Sequence, residues 1–131
     1  AIDRIVTDLE AGRTADPDAL PPHLKAIFSP GLQRYMIDLF SHDPLALAHD
    51  WKGPALIVQG DADIQVKPID ADLLASALPQ AEKVVLEGAT HMLKADVPGQ
   101  PLATYTEPSH PLHPDVVPAI SEFVARYGNE R

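Results

Sequence analysis

Two short apolar segments, separated by one amphipathic segment, constrain the fold more than any other feature. Residues 55–59 form a continuous run that stops at Gly60, and residues 83–86 form a second run that stops at Glu87-Gly88. Between them, residues 70–78 place leucine and alanine on one side of a helix. Strand, helix and strand in this order predict a right-handed βαβ unit whose parallel strands are buried on both faces and need neighbouring strands.

The first 50 residues show no strand pattern and predict short helices joined by proline-rich turns. Ser29-Pro30 and Asp43-Pro44 each combine a good N-cap with a proline suited to the first helical position. One apolar stripe on the helix after Ser29 is expected to pack on a core, and it comprises Leu32, Tyr35, Met36, Leu39 and Phe40. Residues 92–113 read as loop, and residues 114–127 predict a closing helix.

Composition excludes several classes of function. The 131 residues carry a net charge of −9, which argues against nucleic acid or an anionic membrane as the main partner. The absence of cysteine excludes disulfides, thiolate zinc sites and a cysteine nucleophile. No apolar run approaches the about 20 residues that a membrane span needs.

Asp63 and His91 occupy matching places, a few residues beyond the carboxyl ends of the two predicted strands. Neighbouring parallel strands lie about 4.8 Å apart, and this edge of an open α/β sheet is where ligands bind. A carboxylate there can orient an imidazole by accepting from one ring nitrogen, which leaves the other nitrogen to take a proton from a nucleophile. The glycines at positions 60 and 88 allow the sharp turns that this requires.

Residues 54–63 and 84–91, with a helix between them, resemble the last two strands of the α/β-hydrolase family. The resemblance extends over about residues 53–127, and it implies an acid in a G-x-x-D turn at Asp63 and a base in a G-x-x-H turn at His91. It also implies an α/β fold in which residues 1–50 form a helical, cap-like or lid-like segment. Residues 51–131 would then be the C-terminal βαβ-α portion of the hydrolase core.

The implied activity is hydrolysis of a carboxylic ester or related acyl bond, as in esterases and lipases, with no metal or organic cofactor. The G-x-S-x-G nucleophile elbow of the family is absent from this chain. We therefore expect the nucleophile in a missing N-terminal half, on the same or a separate polypeptide, and no activity from this chain alone. The start at Ala1 reads as the interior of a longer protein. Any signal peptide would lie upstream, and the compartment stays open with the cytoplasm favoured.

Four residues are predicted to contact a small-molecule ester substrate: Met92 and Leu93 beside the base, and Tyr35 and Met36 in the cap-like segment. For Tyr35 and Met36 the alternative is simple packing of a helix on its core. Asp61 is a second candidate for the acid, although a turn residue in solvent is the simpler interpretation. His110 and His113 have an H-x-x-H spacing that can hold zinc on a helix, but prolines interrupt it and we interpret both as loop histidines at the rim of the site.

A different class of function is also compatible with the sequence. The chain could be a stand-alone binding or interaction module derived from a hydrolase scaffold, which pairs its open strand edge with a second copy or with another protein. The absent nucleophile favours this alternative, whereas the retained Asp63 and His91 disfavour it.

Overall fold

The computed structural model describes residues 2–128. They divide into two compact units, one up to Leu47 and one from Ala48 onward. The first unit is helical and the second combines helices with a two-stranded parallel sheet. A mixture of helices and parallel strands agrees with the predicted α/β class at this coarse level.

Short helices joined by proline-containing turns make up the first unit, as predicted, and two of them begin at the prolines of the Ser29-Pro30 and Asp43-Pro44 signals, although the Ser29 side chain forms no cap hydrogen bond. They are α1 (Ile2–Glu10), α2 (Pro22–Lys25) and α3 (Pro30–Phe40), and α4 (Pro44–Asp50) continues into the second unit. Gly12 follows α1 with a φ of 74°, a left-handed conformation that commonly ends a helix. The carboxylate of Asp43 accepts hydrogen bonds from the amides of Leu45 (2.9 Å) and Ala46 (3.1 Å), so it caps α4 as expected.

The core of the first unit joins α1, α2 and the turn after α2 through Ile5, Leu9, Leu24 and Phe28. The predicted apolar stripe on α3 is largely wrong, because Leu32, Tyr35, Leu39 and Phe40 are exposed. The helix instead buries the face that carries Gln33, with Met36 and Ile37 partly buried against the core.

Gln33 is fully buried because it satisfies backbone groups that the helix-to-helix turns leave without partners. Its side-chain oxygen accepts from the amide of Ala15 at 2.7 Å. Its side-chain nitrogen donates to the carbonyls of Ala15 at 3.0 Å and Phe28 at 2.7 Å. These three contacts rotate α3 away from the orientation that apolar periodicity predicts.

The second unit contains the predicted βαβ arrangement. Its elements are β1 (Leu56–Gly60), α5 (Pro68–Ala77), β2 (Glu82–Leu86), α6 (Ala103–Thr106) and α7 (Val116–Tyr127). The strands pair in parallel, from Leu56 opposite Glu82 to Gly60 opposite Leu86. This register places the carboxyl ends of both strands at one edge, as the sequence predicts.

Burial on both faces, which we expected for each strand, is wrong for β2, whereas no residue of β1 is exposed. The core of this unit consists of Leu86, Ala89 and Val116, with Val58, Val84 and Leu93 partly buried against it. Val85 is 50% exposed, because a sheet of only two strands is too narrow to be covered on both sides. The segment predicted as loop also contains α6 and two antiparallel bridges, Ala89 to Ala95 and Lys94 to Leu112.

Gly60 is required by the close approach of the two strand ends. A Cβ at this position would lie 2.1 Å from the carbonyl oxygen of Ala89, so Gly60→Ala forces the backbone apart. We expect it to lower the free energy of unfolding by about 2 kcal/mol in urea denaturation, as overpacking does. Gly31→Ala is the control, because a Cβ there meets nothing within 4 Å. Equal effects of the two substitutions would contradict the close approach.

Candidate active site

The turn that carries Asp63 follows β1 directly. One carboxylate oxygen of Asp63, Oδ1, accepts from the amides of Gln65 at 2.8 Å and Val66 at 2.9 Å, which closes an Asx-type turn. The side chain is only 7% exposed. Both backbone contacts fall on the same oxygen, so the second oxygen, Oδ2, stays available for another donor.

His91 lies at the first position of a three-residue hairpin loop after β2. The amide of Leu93 donates to the carbonyl of Thr90 at 2.9 Å, and the amide of Thr90 donates to the carbonyl of Lys94 at 2.9 Å. Leu93 closes this loop with a φ of 54°, at a position that such loops usually give to glycine. A left-handed leucine is strained, and strain of this kind concentrates at functional sites.

The two turns bring the carboxylate and the imidazole into contact. Nδ1 of His91 lies 3.0 Å from Oδ2 of Asp63. Since a carboxylate can only accept, the neutral ring carries its proton on Nδ1 and presents Nε2 as an acceptor. The imidazole is 37% exposed, whereas its partner is buried. The pair therefore has the arrangement of an oriented base facing the surface.

The environment of Asp63 favours its charged form. Burial by itself raises the pKa of this carboxyl group, but hydrogen bonds from the Val66 amide, the His91 ring and the Gln65 amide outweigh it. The pKa of Asp63 consequently lies below its usual value. The carboxylate is ionised at neutral pH and can stabilise a positive charge on the imidazole.

Three contacts join the turn that carries Asp63 to the end of β2 and the segment that leads to His91. The amide of Asp61 donates to the carbonyl of Leu86 at 3.2 Å, and that of Ala62 donates to the carbonyl of Ala89 at 3.1 Å. The carboxylate of Asp61 accepts from the Gly88 amide at 2.6 Å. The carboxylate of Asp61, the second candidate acid, thus accepts from a backbone amide, and Asp63 is the carboxylate that contacts His91.

Sequence reasoning missed two polar neighbours of the pair, Gln59 and Tyr105. The amide nitrogen of Gln59 donates to the carbonyl of Val66 at 3.1 Å and lies 3.5 Å from Oδ2 of Asp63. A glutamine that interrupts an apolar strand was the available signal for it. Nothing in the sequence points to Tyr105, which comes from α6.

Tyr105 lies beside the base with its ring nearly parallel to the imidazole, at an angle of 8° and a centroid distance of 6.4 Å. Its hydroxyl is buried and has no hydrogen-bond partner among residues 2–128. Burial, and then the charge of Asp63, raise the pKa of this hydroxyl. The Tyr105 side chain is therefore uncharged at neutral pH and lies next to the imidazole as an aromatic neighbour.

A cleft of about 230 Å³ opens at the pair. Its lining consists of Val58, Gln59, Gly60, Asp63, Val66, His91 and Leu93. Of the two residues predicted to contact substrate beside His91, Leu93 lines this cleft, whereas Met92 is exposed outside this lining. Tyr35 and Met36 belong to the first unit, where Tyr35 is exposed and Met36 packs on the core.

Other features carry less chemistry. A cavity of about 700 Å³ in the first unit is lined mainly by Leu39, Phe40, Pro44 and Leu47, together with Glu10 and His42.

Within residues 2–128, no three histidine or acidic side chains lie close enough together to share a metal ion. His113 of the H-x-x-H pair instead contacts the carbonyl of Glu87 at 3.1 Å. In the same range, no helix has the length and apolar character that a bilayer crossing demands.

Comparison with protein-family models, with curated proteins and with solved structures finds no match to this chain.

Asp63→Asn tests the orientation of the base. An amide can donate to Nδ1, so we expect the neutral imidazole of His91 to move its proton from Nδ1 to Nε2. Long-range ¹H–¹⁵N spectra of the histidine side chains distinguish the two tautomers. Asp72→Asn is the control, since Asp72 pairs with Lys83 on the surface. An unchanged tautomer in Asp63→Asn would contradict the assigned contact.

The lowered pKa of Asp63 predicts how stability depends on pH. A carboxyl group whose pKa is lower in the folded than in the unfolded chain stabilises the fold fully above its unfolded pKa of about 3.9. This contribution decreases as pH falls through the folded pKa. In urea denaturation at a series of pH values, the advantage of wild type over Asp63→Asn should therefore shrink below about pH 4. A gap that stays constant from pH 7 to pH 2 would contradict the prediction.

Proposed function

We propose that this chain supplies the acid and the base of a Ser-His-Asp triad in an α/β-hydrolase that cleaves carboxylic esters or related acyl bonds. The supporting observation is the 3.0 Å contact between a buried, ionised carboxylate and the Nδ1 atom of a partly exposed imidazole. The turns that carry them follow neighbouring parallel strands, in the chain order of that family.

The proposed reaction uses His91 twice. As a serine hydroxyl attacks the acyl carbonyl, Nε2 takes its proton, and it then passes this proton to the leaving alcohol as the C–O bond breaks. Water next attacks the acyl-serine ester, gives a proton to Nε2 and releases the acid, and the serine regains its proton. Asp63 keeps the ring oriented and stabilises the imidazolium that forms in both halves.

The nucleophile is proposed to come from outside these residues. The serines are Ser29, Ser41, Ser76, Ser109 and Ser121. The hydroxyls of Ser41, Ser76 and Ser121 donate to helical carbonyls, and none of the five follows a strand at a tight glycine turn. A segment that carries the serine and further strands would complete the triad and would also cover β1 and β2.

Apolar surface on α7 favours a partner in either interpretation of the chain. Val116 packs on the core, whereas Val117, Ile120 and Val124 form a second stripe that is exposed. A binding module without catalysis would use the same surface. The Asp63–His91 pair favours the catalytic function, because a binding module has no need of an oriented base.

The test is labelling by a fluorophosphonate probe, together with ester hydrolysis, in the full-length gene product that contains these residues. We expect labelling of a serine outside residues 1–131, loss of both signals in His91→Ala, and a loss of turnover of about 10⁴-fold in Asp63→Asn. The 131-residue chain alone should remain unlabelled. His110→Ala, which changes the other histidine of the H-x-x-H pair, should behave as wild type.

Near-normal turnover in His91→Ala would reject the proposed role of the base. A full-length product that neither labels nor hydrolyses any ester, yet binds a partner through this chain, would instead support the interaction module.

A further inference from the structure

His113 contacts both ends of the segment 87–93, which carries His91. Its ring atom Nε2 lies 3.1 Å from the carbonyl oxygen of Glu87, the first residue after β2. Its backbone amide donates to the carbonyl of Leu93 at 2.8 Å, at the other end of the segment. One residue thus joins the exit of β2 to the strained leucine that follows His91.

The hydrogen-bond partners of His113 fix its tautomer. A carbonyl oxygen can only accept, so Nε2 carries the proton that it donates to Glu87. Nδ1 accepts from the amide of Asp115 at 3.3 Å, just before α7 begins. The side chain is 12% exposed, so each ring nitrogen has one specific partner in a largely buried place.

The position of His91 depends on a turn that would otherwise relax. Leu93 has a left-handed backbone, which is strained for a non-glycine residue and persists only where surrounding contacts hold it. The bond from the His113 amide holds the carbonyl of Leu93, and the His113 ring holds Glu87, where the chain leaves β2. The contacts of Asp61 and Ala62 hold Gly88 and Ala89, between these two ends, and do not reach Leu93.

We propose that His113 is a positioning residue for the base: its Nε2–H···O bond to Glu87 keeps the segment 87–93 in the conformation that aims Nδ1 of His91 at Asp63. The inference rests on the proposed function only in naming His91 as the base. The histidine of the H-x-x-H pair that sequence reasoning assigned to the rim then acts through the loop, without a metal and without touching substrate.

Two substitutions separate the two ring contacts. His113→Gln retains an N–H donor at about the reach of Nε2 and loses the acceptor at Nδ1. His113→Asn retains an acceptor near the place of Nδ1 and loses the donor to Glu87. If the Glu87 contact positions the base, glutamine should preserve the His91–Asp63 bond and asparagine should weaken it.

The measurement is the exchange rate with solvent of the Nδ1 proton of His91, read in ¹H–¹⁵N spectra of the 131-residue chain. In His113→Asn we expect an exchange rate about tenfold above wild type, because the loss of about one hydrogen bond has an effect of this size. In His113→Gln we expect a rate within about twofold of wild type. His110→Ala is the control and should leave the rate unchanged. Amide signals of β1 and β2 report whether each variant is folded.

Equal rates in the glutamine and asparagine variants would overturn the proposal, because the Glu87 contact would then have no separate effect. Loss of the β1 and β2 signals in His113→Asn would also overturn it, since the residue would be supporting the whole unit. The readout does not depend on ester hydrolysis. A failed labelling experiment would reject the hydrolase function and leave the positioning result intact, and the reverse also holds.

Discussion

The parallel pairing of β1 with β2 is the constraint on which the site depends. Because the register runs to Gly60 opposite Leu86, the segments that follow β1 and β2 leave the sheet at the same edge, side by side. Gly60 and Ala89 are so close that no side chain fits between them. Only residues 61 and 62 separate β1 from Asp63, and residues 87–90 separate β2 from His91, and such short connections leave little freedom for Asp63 and His91 to separate.

The sequence predicted the residues whose placement follows from backbone periodicity. Asp63 and His91 were predictable because each follows an apolar run by a fixed short distance, and parallel strands bring such positions together. Gln59 and Tyr105 were not predictable in the same way. The contact of Gln59 with Asp63 depends on the rotamer of the glutamine side chain, and Tyr105 lies beside His91 on α6, within residues 92–113, which were predicted as loop.

The error on α3 has a specific physical origin. A prediction from apolar periodicity buries the most apolar face of a helix, and on that basis Leu32, Tyr35 and Leu39 should face the core. Gln33 overrides this, because the carbonyls of Ala15 and Phe28 and the amide of Ala15 need partners where water is excluded. A buried backbone group without a partner costs about 1–3 kcal/mol, so three of them can outweigh the burial of one apolar stripe.

The same logic of backbone satisfaction explains how the site is held. Around His91 the contacts run mostly from side chains to backbone: Asp61 to Gly88, His113 to Glu87, and Asp63 to Gln65 and Val66. Backbone groups move little compared with side chains, so anchoring to them fixes the loops without occupying the ring nitrogen that would do the chemistry. A site built this way keeps the His91–Asp63 contact local to one unit, even though β2 remains partly exposed.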